Sequence, residues 1–165
     1  MRGLVKIVMA LVAVLSAANV HAAEVDRPLQ GMSTFGLVVE GLTPGSAACG
    51  LTENLIRDSF LYPVSFSRVR IDLNDSAGLP FIYMNVGTIN TDNGCVSIVI
   101  ASVFYFQSTT LSISNKSINA EIRLWNRGGL EIGPTYSHAQ QVRVRLEDYS
   151  KAFVTEWNLA NKPSR

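Results

Sequence analysis

Residues 81 to 107 read FIYMNVGTINTDNGCVSIVIASVFYFQ and predict the centre of the fold. Two runs rich in β-branched and aromatic residues, 81–90 and 95–107, flank the polar segment Thr91-Asp92-Asn93-Gly94. A short connection of Asp, Asn and Gly between such runs is typical of a tight antiparallel hairpin. We therefore expect two neighbouring antiparallel strands.

The second run of this hairpin has two largely apolar faces, because residues two apart along a strand point the same way. We expect the core to lie against the face with the larger side chains: Val96, Ile98, Ile100, Phe104 and Phe106. The other face is half polar: Cys95, Ser97, Val99, Ala101, Val103 and Tyr105. A strand with two such faces is expected at the centre of its sheet.

The segments around the hairpin predict the rest of one α+β domain. Strands are expected near 34–41, over 64–73 and over 118–125, the last with Ile118, Ala120, Ile122 and Leu124 inward. A helix capped by Thr52 is expected to end at Pro63, and 126–134 to form a flexible loop. The order β-α-β-β-β-β-α predicts an antiparallel-rich sheet of about five strands with two helices packed on one face.

A long helix is expected near 137–160. Ser137 followed by Gln140 fits a capping box. Apolar side chains three and four positions apart form one stripe: Val142, Leu146, Tyr149, Phe153, Trp157 and Ala160. We expect this stripe to dock on the hairpin face that carries Phe104 and Phe106, and a detachable partner helix is the alternative.

The N-terminus predicts export. Arg2 and Lys6 precede an apolar run, and Val20-His21-Ala22 resembles a cleavage site. We expect a signal peptide over 1–22, a flexible N-terminal arm over 23–33 and a single domain over 34–162. The mature protein is expected to be periplasmic or secreted, without stable membrane insertion.

The charge of the mature chain argues against some partners. Removing Arg2 and Lys6 from fourteen basic residues leaves twelve, against thirteen acidic residues, so the net charge is −1. Such a chain lacks the basic footprint of a nucleic-acid binder. We expect no nucleic-acid partner, and a protein partner or a small ligand stays open.

Cys49 and Cys95 are the only cysteines, and two interpretations compete. Cys49 stands before a helix, whose dipole lowers a thiol pKa and favours a thiol-active protein. However, the pair forms no C-x-x-C motif, and the expected compartment preserves disulfides. We expect a structural disulfide, worth about 4 kcal/mol for a loop of about 47 residues.

Few side chains remain for catalysis. His138 is the only histidine after the signal segment, and we expect it at an exposed helix start, where histidine is usually inert. Asp72, Asp75 and Asp92 lie at strand ends and in loops, where Asp commonly serves turns. No metal site or cofactor is predicted. We therefore expect a non-catalytic protein.

Four side chains are candidates for a partner or ligand surface: Trp125, Arg123, Tyr105 and Tyr83. Trp125 is expected to be exposed beside Arg123, and an exposed Trp near charges is a typical anchor. The sequence predicts a small exported binding module, with a redox protein using Cys49 as the alternative.

Overall fold

The computed structural model of the chain describes residues 27–74 and 78–162. The expected signal peptide lies outside these residues. The described residues form five strands and three helices: β1 (Thr34–Val39), α1 (Pro44–Ala48), α2 (Glu53–Val64), β2 (Arg70–Asp72), β3 (Phe81–Thr91), β4 (Gly94–Leu111), β5 (Lys116–Gly133) and α3 (Thr135–Ala160).

The strands form one sheet in the order β2-β1-β3-β4-β5. β1 runs parallel to both of its neighbours, and β3, β4 and β5 form an antiparallel meander. α2 and α3 pack on one side of this sheet, where Phe153 of α3 meets Phe35 of β1 and Phe60 of α2 at ring distances of 5.4 and 6.1 Å. The expected α+β class is confirmed, although the parallel pairs make the sheet mixed.

The predicted hairpin is present in β3 and β4. The pairing runs from Phe81 opposite Phe104 to Thr91 opposite Gly94, which leaves Asp92 and Asn93 as the turn. Gly94 has a φ of 138°, which side chains other than glycine rarely adopt. β5 pairs along the other side of β4, so β4 is central as expected.

α3 covers the face of β4 that was expected to be the less buried one. Ile98 and Phe106 are 54% and 57% exposed, so the expected docking of the helix on Phe104 and Phe106 is wrong. The physical reason is space, because small side chains let the bulky stripe of α3 lie close to the sheet. The covered side chains are at most 1% exposed: Cys95, Ser97, Val99, Ala101 and Val103.

α3 begins at Thr135, two residues earlier than expected. Its N-cap is Pro134, which offers no side-chain cap. The expected capping box is wrong, since Ser137 Oγ instead donates to the Pro134 carbonyl oxygen at 3.4 Å. The apolar stripe is confirmed, because all its members are 8% exposed or less: Val142, Leu146, Tyr149, Phe153, Trp157 and Ala160.

β5 continues to Gly133, so the expected flexible loop over 126–134 is wrong. Its glycines allow α3 to approach: a Cβ at Gly129 would lie 2.7 Å from the Tyr149 hydroxyl, and one at Gly133 would overlap the Gln141 side chain. At its other end β5 pairs with β4 beyond the start of β3. Because that end lies beyond the core, Ile118 and Ile122 are 38% and 37% exposed instead of inward.

The first half of the domain also differs in part from the expectation. Thr52 caps α2 as predicted, with its Oγ1 accepting from Leu55 N at 3.1 Å. α2 extends to Val64, and β2 is limited to Arg70–Asp72, so the expected strand over 64–73 is too long. α1 was not expected, because its segment contains Pro and Gly.

Within the expected N-terminal arm, residues 29–32 pack against the end of α3. Leu29 is only 2% exposed. Asn161 Nδ2 donates to the Leu29 carbonyl oxygen at 3.0 Å, and Gly31 N donates to Asn161 Oδ1 at 2.8 Å. Residues 23–26 of the expected arm lie outside the described residues.

Candidate functional site

The side of β3, β4 and β5 opposite α3 is here called the outer face. No helix of the described residues covers it. Strand alternation places the following side chains on it: Phe81, Tyr83, Asn85, Ile89, Val96, Ile98, Ile100, Ser102, Phe104, Phe106, Glu121, Arg123, Asn126, Leu130 and Ile132.

The hairpin end of the outer face carries an aliphatic patch of Ile89, Val96, Ile98, Leu130 and Ile132. Val96 stands opposite both Ile89 and Ile132, and Ile98 stands opposite Leu130. Four of the five are more than half exposed: Ile89 66%, Ile98 54%, Leu130 53% and Ile132 66%. Directly opposed residues have Cβ atoms about 5 Å apart, so these side chains form one continuous surface.

The other end of the outer face carries an aromatic cluster of Phe81, Tyr83, Phe104 and Phe106, with Arg123 on its surface. Phe81 stacks on Phe106 at 5.6 Å, and Tyr83 meets Phe104 edge to face at 6.0 Å. Arg123 Cζ lies 5.2 Å from the Phe104 ring centroid, within the range of a cation–π contact. The cluster therefore presents both apolar area and a positive charge.

A groove of about 280 Å³ lies between the patch and the cluster and is lined largely by polar side chains. Ser102 Oγ donates to Asn126 Oδ1 at 2.7 Å. Glu40 accepts hydrogen bonds from Tyr83 and Asn85, and the bond from the Tyr83 hydroxyl raises the pKa of Tyr83 to about 12. Tyr83 thus keeps its proton at neutral pH, and the groove offers amides and hydroxyls that can orient a partner.

The structure brings together two of the four expected surface residues. Tyr83 and Arg123 both contact Phe104 on the outer face. Trp125 is only 6% exposed, so its expected exposure is wrong. The cause is a register shift after Val103, which leaves Leu124 without a partner on β4 and turns Trp125 to the core side.

Tyr105 is half-buried and stands opposite Ile122. Alternation from Phe104 and Phe106 puts it on the side of the sheet away from the outer face. The structure therefore does not add Tyr105 to the surface formed by Tyr83 and Arg123.

Ser97 and His138 form a buried pair that the sequence analysis missed. Ser97 Oγ lies 2.7 Å from His138 Nε2 and 2.8 Å from Thr88 Oγ1. A hydroxyl beside imidazole is the geometry of an activated nucleophile. However, Ser97 and His138 are both 0% exposed, so no substrate can reach them in this conformation.

Burial also sets the charge of His138. It lowers the pKa of the ring below its ordinary value, while the Glu131 carboxylate and the Gln141 side chain act in the opposite sense. The expected exposure of His138 is wrong. Its position four residues before Val142, at the start of the apolar stripe, is the signal that could have placed it inside.

Cys49 and Cys95 are joined in a disulfide, with an S–S distance of 2.02 Å and a Cα–Cα distance of 6.1 Å. They are 0% and 1% exposed. The bond ties the loop after α1 to the start of β4, beside Ser97. No free cysteine remains among the described residues.

No family model matches this chain, and no curated protein or solved structure matches it either. Within 27–74 and 78–162, no helix has the length and apolar character needed to cross a membrane. The same residues contain no group of three or more His, Cys, Asp or Glu side chains that could hold a metal ion.

Proposed function

We propose that this chain is an exported, non-catalytic protein that binds a protein partner through its outer face. The observation that carries the proposal is the aliphatic patch, in which Ile89 and Ile132 are each 66% exposed next to Ile98 and Leu130. Contiguous exposed apolar surface in a protein of this size commonly marks an interaction site.

The composition of the outer face favours a protein partner over a small ligand. Its apolar area is open and spread over three strands, whereas small molecules usually bind in enclosed pockets. Phe81, Phe106, Tyr83 and Arg123 belong to the residue types that dominate protein interfaces. The partner surface should therefore be apolar at its centre and should bring an acidic group to Arg123.

Export is supported by the signal-like segment 1–22 and by the disulfide, which persists in oxidising compartments. The intact mass of the protein released from the producing cells tests this. We expect a chain that begins at Ala23, and a mass that retains residues 1–22 would contradict export by cleavage.

The burial and bonding of the two cysteines argue against the alternative of a redox protein using Cys49. Both sulfur atoms are bonded and at most 1% exposed, so a thiol partner cannot reach them without local unfolding. Ser97 and His138 are equally enclosed. The exposed side chains of the outer face are therefore suited to binding a partner.

A photo-crosslinking amino acid at Ile98, introduced into the protein in its natural cells, tests the binding face. Val144 on α3 is the matched control, because it is an aliphatic residue of similar exposure, 45% against 54%. We expect a discrete covalent adduct with another protein from position 98 and none from position 144. Equal adducts at both positions, or none at position 98, would contradict the proposal.

A further inference from the structure

A second site lies at the opposite end of α3 from the disulfide, in a cleft of about 420 Å³. Residues 27–29, the middle of β5 and the last turn of α3 surround it. Its apolar walls include Leu29, Leu124, Trp125, Leu159 and Ala160. The volume lies within the range of small-molecule sites, and the lining is mainly apolar, as in most such sites.

Trp125 contributes its indole ring to the wall of this cleft. The residue is 6% exposed, and its Nε1 is buried without an acceptor among the described residues. The other tryptophan, Trp157, differs, because its Nε1 donates to the Met32 carbonyl oxygen at 2.5 Å. Because the Trp125 Nε1 is enclosed, a ligand in the cleft would contact the Trp125 ring through its apolar atoms.

The charges at the cleft favour an anion. Arg27, Glu156 and Lys162 lie along its border. The Glu156 carboxylate already binds Arg127, with Oε1 at 2.6 Å from Nη2. Among the described residues, Arg27 and Lys162 therefore leave the border with an excess of positive charge.

The walls of the cleft are held in place before any ligand binds. Asn161 bonds the backbone of both Leu29 and Gly31. Together with the bond from Trp157 to Met32, these contacts fix residues 29–32 on α3. A preformed cleft binds without a large ordering cost.

We propose that this cleft binds a small apolar molecule that carries a carboxylate. The carboxylate lies beside Arg27 and Lys162, which neutralise it, and the apolar part lies against Leu124, Leu159 and the Trp125 ring. This site is separate from the outer face and does not depend on the protein partner.

Titration of the ¹⁵N-labelled mature protein with decanoate, below its micelle concentration, tests the proposal. The protein has two indole N–H signals, from Trp125 and Trp157. We expect the Trp125 signal to move in a saturable manner and the bonded Trp157 signal to move much less. A Trp125 signal that does not move would overturn the proposal.

Two further probes separate the parts of the site. Decyltrimethylammonium has a similar chain and the opposite charge, so we expect at least tenfold weaker binding. Replacing Arg27 and Lys162 by Ala should weaken decanoate binding roughly threefold to tenfold, the range for two exposed ion pairs. The control Lys151→Ala, an exposed cation on α3 outside the cleft, should leave it unchanged. Equal binding of decanoate and decyltrimethylammonium would overturn the assignment of a carboxylate ligand.

Leu159→Tyr should block the cleft, since Leu159 is 50% exposed and the substitution leaves the core intact. The matched control is Val144→Tyr, elsewhere on α3. Equal decanoate binding by both variants would overturn the proposal. A variant that lacks residues 23–26 gives a further check in the absence of decanoate. If its Trp125 signal differs from that of the parent protein, the chain itself fills the cleft, and the proposal is overturned.

Discussion

The two faces of the β3–β4–β5 meander both carry apolar side chains but have opposite surroundings. On the covered face, Val99, Ala101 and Val103 are 0% exposed beneath α3. On the outer face, Ile98 and Phe106 are larger and more apolar, yet each is more than half exposed. A helix therefore packs where the sheet offers room and specific bonds, and greater hydrophobicity alone does not attract it.

Specific contacts explain why the covered face is chosen. The disulfide joins the start of β4 to the loop after α1, and Ser97 bonds His138 of α3. Gly129 and Gly133 of β5 leave space for Tyr149 and Gln141. All of these features lie on one side of the sheet and define it as the interior.

The largest expected effect comes from truncating the covered core. Phe153→Ala should lower the free energy of unfolding by about 3 to 5 kcal/mol, because the ring is fully buried among Phe35, Phe60 and Trp125. Phe106→Ala on the outer face is the matched control and should cost less than about 1 kcal/mol. Urea denaturation of both variants checks this, and equal losses would erase the distinction between the faces.

The disulfide should contribute the next largest effect on the covered side. Replacing both Cys49 and Cys95 by Ser should lower the free energy of unfolding by roughly 2 to 4 kcal/mol, because a long loop of the unfolded chain is released. Thermal and urea unfolding measure the loss. A double variant as stable as the parent would show that the bond is not what holds the loop after α1 against β4.

His138 should make the covered side sensitive to pH. Its folded pKa is lowered by burial, so the unfolded chain takes up a proton first as the pH falls through about 6.5. The free energy of unfolding should therefore decrease from pH 7.5 toward the lowered pKa. Urea unfolding across this range should show a smaller slope for His138→Gln, and the same slope in both proteins would contradict the assignment.

The sequence predicted the elements more reliably than the faces. Local patterns predicted the β3–β4 hairpin with its turn, the apolar stripe of α3 and the Thr52 cap of α2. The structure contains all of them. The choice of covered face depends on long-range contacts, which periodicity along β4 does not contain. The predicted disulfide could have indicated the covered face. Cys95 and Val99 point to the same face of β4, and Cys49 lies next to the helices.

The candidate site was predictable only in part for a related reason. Tyr83 and Arg123 are two of the four predicted surface residues, and both contact Phe104 on the outer face. Trp125 could not be placed by alternation, because a single unpaired residue, Leu124, reverses the alternation between Arg123 and Trp125. Such an irregularity leaves no mark in hydrophobic periodicity.

The smallest expected effect is on the outer face itself. Ile98→Ser combined with Leu130→Ser should change the free energy of unfolding by less than about 1 kcal/mol, since both side chains are more than half exposed. The same double variant should lose the partner adduct formed from a crosslinker at position 89. Val99→Ser, one residue along β4, should cost more than about 2 kcal/mol. A destabilised double variant would mean that the outer face belongs to the core.

The broadening of methyl NMR signals by a soluble paramagnetic agent tests most directly which face of the sheet is exposed to solvent. We expect strong broadening for Ile98, Leu130 and Ile132, and protection of Val99 and Val103. Protection of Ile98 and Ile132 together with broadening of Val99 would contradict this expectation, because α3 would then cover the face described here as open.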